Sequence, residues 1–396
     1  MGLDAREVTP ELTRAIVQLA AEVRSFERAS VTTRRVLQVN LSDSTIRRLV
    51  GQLGLELSDL EECDQRSDSK EVIVPEVAVV SCDGGRIRTR EPGQGRGVTL
   101  VGETGWKETK NASFEKMTPH SNHQAGVDPC PELPSSFRSA KKVADIAEKP
   151  VPDVPDDDKA RTERVVHNGP QRVLRTALSS MACSDQFGLM MKREAIRRRF
   201  FDAPLRAFVG DGLNWNWSIQ QRRFPTFIPI LDFIHAIQYL YKAALALGEH
   251  DKSDWMLYVE FVTLTWNGRI TEVIEHLTDA CHQRGWAPSD TIADDHPLKP
   301  VTDAIRYFTN NRQRMDYPNY RRQGLPVTSA PMESLIKQMN ARTKGTEMCW
   351  NNPTGAEAIL HVRAAALCDD ERLDDYLVKR PGYQFVRRSS ALNLAT

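Results

Sequence analysis

Apolar positions along this chain change their period several times. Leu12, Ile16, Leu19 and Val23 recur at helical spacing, and Thr9-Pro10-Glu11 offers a capping hydroxyl followed by proline at the first helical position. A second, short helix is predicted over residues 41–50, opened by Ser42 or Asp43, with Ile46, Leu49 and Val50 behind an exposed face of Ser44, Arg47 and Arg48. Such a helix suits the recognition element of a helix-turn-helix, and it also suits a small bundle that merely packs on the next domain. Residues 61–70 are acidic and polar, as in a linker. Beyond them the β-branched runs 72–74 and 77–80 predict strand. Alternation over 86–89, a turn at Pro92-Gly93-Gln94-Gly95 and a return run at 97–101 extend this to a β-meander beginning on Asp83.

Residues 119–159 carry Pro119, Pro129, Pro131, Pro134, Pro150, Pro152, Pro155 and the run Asp156-Asp157-Asp158, with no hydrophobic period. They read as a low-complexity, mobile insertion. Helical patterning is expected again from about residue 160, ending in the densest basic cluster of the chain, Lys192, Arg193, Arg197, Arg198 and Arg199. That cluster fits either a solvated helix face or a surface that contacts phosphates. Residues 205–212 predict a buried strand ending on Asp211, and 227–231 a further strand ending on Asp232, followed by a helix through His235, Tyr239 and Ala243. The chain then reads as mostly helical to about residue 320.

The composition adds little to this picture. The 396 residues are 40% hydrophobic and 27% charged, with 53 Lys+Arg balanced by 53 Asp+Glu, so net charge points to no partner. The longest apolar runs are far shorter than the roughly 20 residues of a membrane span. No membrane partner is expected, and a cytoplasmic, nucleoid-associated location is. Seven cysteines include no Cys-x-x-Cys pair, which argues against a zinc ribbon and a disulfide scaffold.

Three acids stand out against that background. Asp83 and Asp211 each end an apolar run and are flanked by glycines, and Glu333 lies early in a helix that Thr328 or Ser329 could cap and Pro331 could begin. Carboxylates at strand ends and on a facing helix can converge to hold hard divalent cations. Taken singly, each Asp-Gly is an ordinary turn. Lys337, Asn340 and Lys344 continue the Glu333 face as a polar and basic stripe, able to meet phosphates or simply to support the helix.

The segments CDGGRIRTRE, GWKETKNA, FVGDGLNWNW, ILDFIHA and TSAPMESLIKQMNARTKGTEMCW, in that order, resemble bacterial insertion-sequence transposases of the DDE class, of the ISKra-four group. The resemblance implies an α/β fold: a ribonuclease-H-like catalytic core interrupted by a helical insertion and preceded by a small all-α, helix-turn-helix-like domain. It implies DNA strand cleavage and strand transfer with two Mg²⁺ ions per site, Mn²⁺ substituting, and Asp83, Asp211 and Glu333 as catalytic metal ligands. Asp83 and Asp211 would share one ion and Glu333 would help hold the second. The step Asp232-x-x-His235 resembles an auxiliary motif of related transposases, with His235 either touching the DNA end or buried for structure. Many relatives carry a cysteine-rich zinc module ahead of the helical segment, and this sequence has none. The expected partners are the terminal repeats of the element and target DNA, held by a homo-oligomer. Arg47, Arg48, Arg86, Lys107, Lys192, Arg197, Arg198, Lys337, Asn340 and Lys344 are the expected DNA contacts. The expected divisions are a DNA-binding domain at 1–68, core segments at 69–118 and 160–235, the insertions 119–159 and 236–325, and a final catalytic helix and C-terminal segment at 326–396. The competing readings are a domesticated or inactive DNA-binding descendant and a ribonuclease-H-like structure-selective nuclease.

Overall fold

Capped helices open the chain in this computed structural model, which describes residues 9–63, 73–90, 105–119, 124, 126–152, 154, 169–248, 252–287, 292–345 and 348–379. Helix α1 (Pro10–Glu22) begins as expected, the Thr9 hydroxyl accepting from the Leu12 N–H. Ser25 caps α2 (Phe26–Val36), and Ser42 caps α3 (Asp43–Cys63) by accepting from the Thr45 N–H. At 21 residues α3 is much longer than predicted. Leu53 and Leu57 extend the buried face of Ile46, Leu49 and Val50, so the apolar stripe carries the helix into the expected linker.

The sheet has strands β1 (Val77–Arg88), β2 (Trp106–Thr118), β3 (Gln171–Ser180), β4 (Leu205–Gly210) and β5 (Ile228–Leu231), in the order β3-β2-β1-β4-β5. The first three are antiparallel neighbours, whereas β1, β4 and β5 run parallel. Two corrections concern β1. Ile73 and Val74 belong to no strand, and Asp83 does not begin a meander but lies within one continuous strand. Pairing explains the continuity: β2 accompanies β1 through Gly84 and Gly85, and a Cβ on Gly85 would stand 2.7 Å from Thr109 Oγ1. The glycine therefore permits a close strand contact where the sequence suggests a turn. The expected turn at 92–95 and strand at 97–101 lie outside the described residues, as does Val72.

A third correction follows after residue 168, where β3 replaces the predicted helix before α5 (Ser184–Arg197) takes it up. Thr176 to Ser180 are buried without alternation, because helices cover both faces of the sheet. The insertion at 119–159 is also more ordered than its composition suggests. It includes a 3₁₀ turn at Ser135–Arg138 and helix α4 (Ala140–Ala147), whose Val143, Ala144 and Ala147 are buried. Its described residues Leu133, Val143, Ala144 and Ala147 join the core of the sheet, and the segment leans on the later helices. The Tyr258 hydroxyl donates to the Phe137 carbonyl at 2.8 Å, the Trp266 indole to the Cys130 carbonyl at 3.0 Å, and Arg321 pairs with Asp128 at 2.6 Å.

Helix α6 (Asn214–Arg223) joins β4 to β5, and α7 (Phe233–Leu247), α8 (Lys252–Trp266), α9 (Ile270–Gln283), α10 (Lys299–Asn311) and α11 (Tyr317–Arg322) form the predicted helical stretch between Asp211 and Glu333. The chain returns through α12 (Ala330–Thr343), α13 (Pro353–Ala366) and α14 (Arg372–Lys379). Two hydrophobic clusters result. One unites the sheet with α4 to α11, and the other unites α1–α3 with α12–α14, Ile87 and Ala177. The boundary expected near residue 68 thus does not separate two cores. Among the described residues, no helix is long and apolar enough to cross a membrane.

Candidate active site

The parallel β1–β4 ladder places the first two acids. Its last pair is Cys82 with Gly210, so Asp83 and Asp211 are the next residues on neighbouring strands. The strands part there, since β4 ends at Gly210 while β1 continues beside β2 alone. Asp83 Oδ1 accepts from the Gly84 N–H at 2.6 Å, and Asp211 Oδ1 from the Leu213 N–H at 3.0 Å and from Asn216 Nδ2 at 2.5 Å. The same Asn216 amide also reaches the Cys82 carbonyl at 3.3 Å. Asn216 is fully buried and ties Asp211, just past β4, to β1 where their ladder ends. Tyr307, on α10, donates its hydroxyl to the Asp211 carbonyl at 2.7 Å.

Glu333 lies in the first turn of α12, which packs against β1 and β2. The Ser329 hydroxyl, expected to cap that helix, serves another purpose. It donates to Asp232 Oδ2 at 2.6 Å while its N–H donates to Asp232 Oδ1 at 2.9 Å. Asp232 in turn caps α7 through the Ile234 N–H and closes on β4 through its own N–H to the Gly210 carbonyl, at 3.2 and 2.9 Å. One fully buried carboxylate therefore fixes the helix that carries His235 to the helix that carries Glu333. His235 Nε2 stands 3.8 Å from Asp232 Oδ2.

These groups share one electrostatic environment. Burial, reinforced by Asp211, pushes the Asp83 carboxyl up to about 6 against the opposing pull of His235 and the Gly84 N–H. Burial also raises Asp211, opposed by the Leu213 N–H and His235, and it raises Glu333 together with Asp232, opposed by His235 and Lys337. For His235 burial acts downward, but Asp232, Asp211, Asp83 and Glu333 together lift it above the usual imidazole value. Mutual repulsion among half-buried carboxylates is what a bound cation would relieve, and their oxygen donors suit a hard divalent ion. Among the described residues, however, no group of three or more His, Cys, Asp or Glu side chains closes into a metal-ligand set. The donor chemistry fits, then, while the ligands stand open.

The expected DNA contacts fall into two groups. Arg47, Arg48, Arg86, Lys337 and Lys344 are exposed, and Lys107, Lys192 and Asn340 are half-buried. Arg47 pairs with Asp43 at 3.2 Å, and Lys344 lies over the Trp106 ring at 5.7 Å. Arg197 and Arg198 correct the prediction. Arg197 is buried with Glu194 at 3.7 Å, and Arg198 pairs with Glu194 at 3.1 Å and with Asp370. Arg372 also pairs with the fully buried Glu194, so these arginines are occupied inside the protein. Burial would raise the Glu194 carboxyl, but Arg372, Arg198 and Arg197 hold it well below the usual range.

Two residues of the site escape sequence reasoning, Asn216 and Tyr307, and Ser329 is read there only as a cap and not as the partner of Asp232. Asn216 had the best signal, an amide in the first turn of the helix that follows the second acid. In comparisons with known proteins, no family model matches this chain, and no curated protein matches it either.

Proposed function

We propose that this protein is a DDE-type transposase that cleaves DNA at the ends of its element and joins those ends to target DNA. The observation that carries the reading is the register of β1 against β4, which sets Asp83 beside Asp211 where the two parallel strands separate. Two further features support it. Three antiparallel strands flanked by two parallel ones agree with a ribonuclease-H-like core, and a long helical segment precedes the helix that bears Glu333.

Asp83, Asp211 and Glu333 would hold Mg²⁺ or Mn²⁺. Bound there, the ions would supply activation of an attacking oxygen and stabilisation of a leaving one. The remaining contributions come from the chain itself. Asn216 orients the Asp211 carboxylate, Asp232 holds the two helices that bring Glu333 and His235 to the site, and the surrounding acids favour the protonated form of His235. Exposed Arg86, Lys337 and Lys344 offer phosphate contacts near the same end of the sheet.

The test uses purified full-length protein and a supercoiled plasmid carrying the DNA that flanks the coding region on both sides. Nicking dependent on Mg²⁺ is expected at the element ends. Asp83→Ala, Asp211→Ala and Glu333→Ala should each slow it by roughly a hundredfold or more. Cleavage at the wild-type rate in all three variants would overturn the assignment.

A further inference from the structure

A polar cavity of about 640 Å³ opens between α6 and α10. It shares a wall with the acid pair, because Gly212 and Tyr307 both line it and Tyr307 is hydrogen-bonded to the Asp211 carbonyl. Gly212 adopts φ +101°, and a Cβ there would stand 2.5 Å from Tyr307 Cε2. Only glycine lets the loop that carries Asp211 lie against that ring.

The lining is mostly uncharged and able both to donate and to accept: Asn214, Ser218 and Gln221 from α6, and Asn310 from α10. Trp217 belongs to it too. The benzo edge of its indole faces β4, where a Cβ on Gly210 would stand 3.2 Å from Cη2. The N–H lies on the other edge of the ring, and this buried donor meets no acceptor. Buried indole N–H groups ordinarily find one. The Arg314 guanidinium stacks over the same indole at 4.4 Å and donates to the Asn310 carbonyl at 3.1 Å.

Size, hydrogen-bonding character and position together define a ligand. The volume lies within the roughly 300–1,000 Å³ of small-molecule sites, enough for one nucleotide and far too little for a duplex. Paired amides match the donor and acceptor edges of a base, and an arginine plane offers a stacking face. We infer that this cavity receives a single unpaired nucleotide of DNA, drawn from its stack beside the acid pair. The inference rests on the reading of that pair as acting on DNA. Extrusion costs least where a base is already unpaired, so the cavity favours DNA that is distorted next to the reacting phosphate.

The experiment compares a short duplex carrying one bulged nucleotide with the same duplex fully paired, each fluorescein-labelled, titrated with full-length protein in EDTA so that no strand is cut. The wild type should bind the bulged duplex about five- to tenfold more tightly. Arg314→Lys keeps the charge and removes the guanidinium plane. Asn214→Ala combined with Gln221→Ala trims only exposed side chains and leaves the core intact. Both variants should bring the ratio towards one while the paired duplex binds as before. Equal wild-type affinity for the two duplexes, or variants that weaken both alike, overturns the inference. The readout is independent of cleavage: a bulge preference that persists while the three acid variants still nick would retain the cavity and remove the transposase reading. Absence of that preference, with nicking lost in the acid variants, does the reverse.

Discussion

At the scale of single residues, Asp232 concentrates the most structure in one side chain. It caps α7, receives both the N–H and the hydroxyl of Ser329, and has no exposure to water. Replacing it with alanine removes a cap and leaves buried donors without acceptors. Asp232→Ala should therefore cost about 2–4 kcal/mol in urea unfolding, and Ser329→Ala, which keeps the backbone bond, only about 1 kcal/mol. Equal stability of Asp232→Ala and wild type would show that the carboxylate does not join the two helices. The spacing of Asp232 and His235 was visible in the sequence, as were the three acids. The partner of Asp232 was not, because Ser329 lies 97 positions away and its nearest apparent use was as a helix cap.

At the scale of elements, legibility follows hydropathy. Helices α1 and α7 and strands β4 and β5 were readable because their apolar positions keep one period and meet clear caps or glycines. Strand β2 was not, since its buried stretch sets only Ala112 and Phe114 among Thr109, Lys110, Asn111, Ser113 and Glu115. Polar residues inside a sheet look like surface until their partners are seen: Glu115 accepts from Ser113 at 2.8 Å, and Ser179 donates to Asn111 at 2.7 Å. The junction of α3 with α13 hides a charge in the same way. His361 is buried between Glu61 and Glu357, at 2.9 and 3.1 Å. Burial alone would lower its pKa, but Glu61 and Glu357 more than reverse this and it is pushed up to about 10. A raised folded value above the ordinary 6.5 means that this stabilisation is complete below pH 6.5 and is lost as pH rises through 10. Chemical denaturation should show stability falling between pH 7 and 9 by up to about 1.4 kcal/mol per unit. In His361→Gln that decline should flatten, and an unchanged slope would place the titration elsewhere.

At the scale of the molecule, the first and last parts of the chain form one body. Arg342, on α12, is nearly fully buried, donates to the Ala20 carbonyl at 2.7 Å and stacks over Phe26 and Trp350 at 4.9 and 5.1 Å. Arg363, on α13, donates to the Ala21 carbonyl at 3.1 Å. Leu49, Leu53 and Leu57 of α3 share their cluster with Ile359 and Leu360 of α13, and Gly54 lets α3 lie against α13, since a Cβ there would stand 2.2 Å from the Ala358 carbonyl oxygen. The sequence signals revealed the start of α3 and α12 but neither α13 nor what these helices bury against, because an amphipathic stripe does not name its partner. An autonomous DNA-binding unit would fold when cut free, whereas helices that complete a distant core would not. A fragment of residues 1–68 should therefore show no cooperative thermal transition, and neither should the chain that begins at residue 69, with Met332, Leu335 and Met339 stripped of cover. Mixing the two fragments should restore a cooperative transition, because the cluster needs both. A sharp melt of the first fragment alone would instead make α1–α3 a tethered module. If the fragments do depend on each other, Arg47 and Arg48 sit at a fixed distance from the acid pair, and any DNA they hold is presented to that site by the rigid fold rather than by a linker.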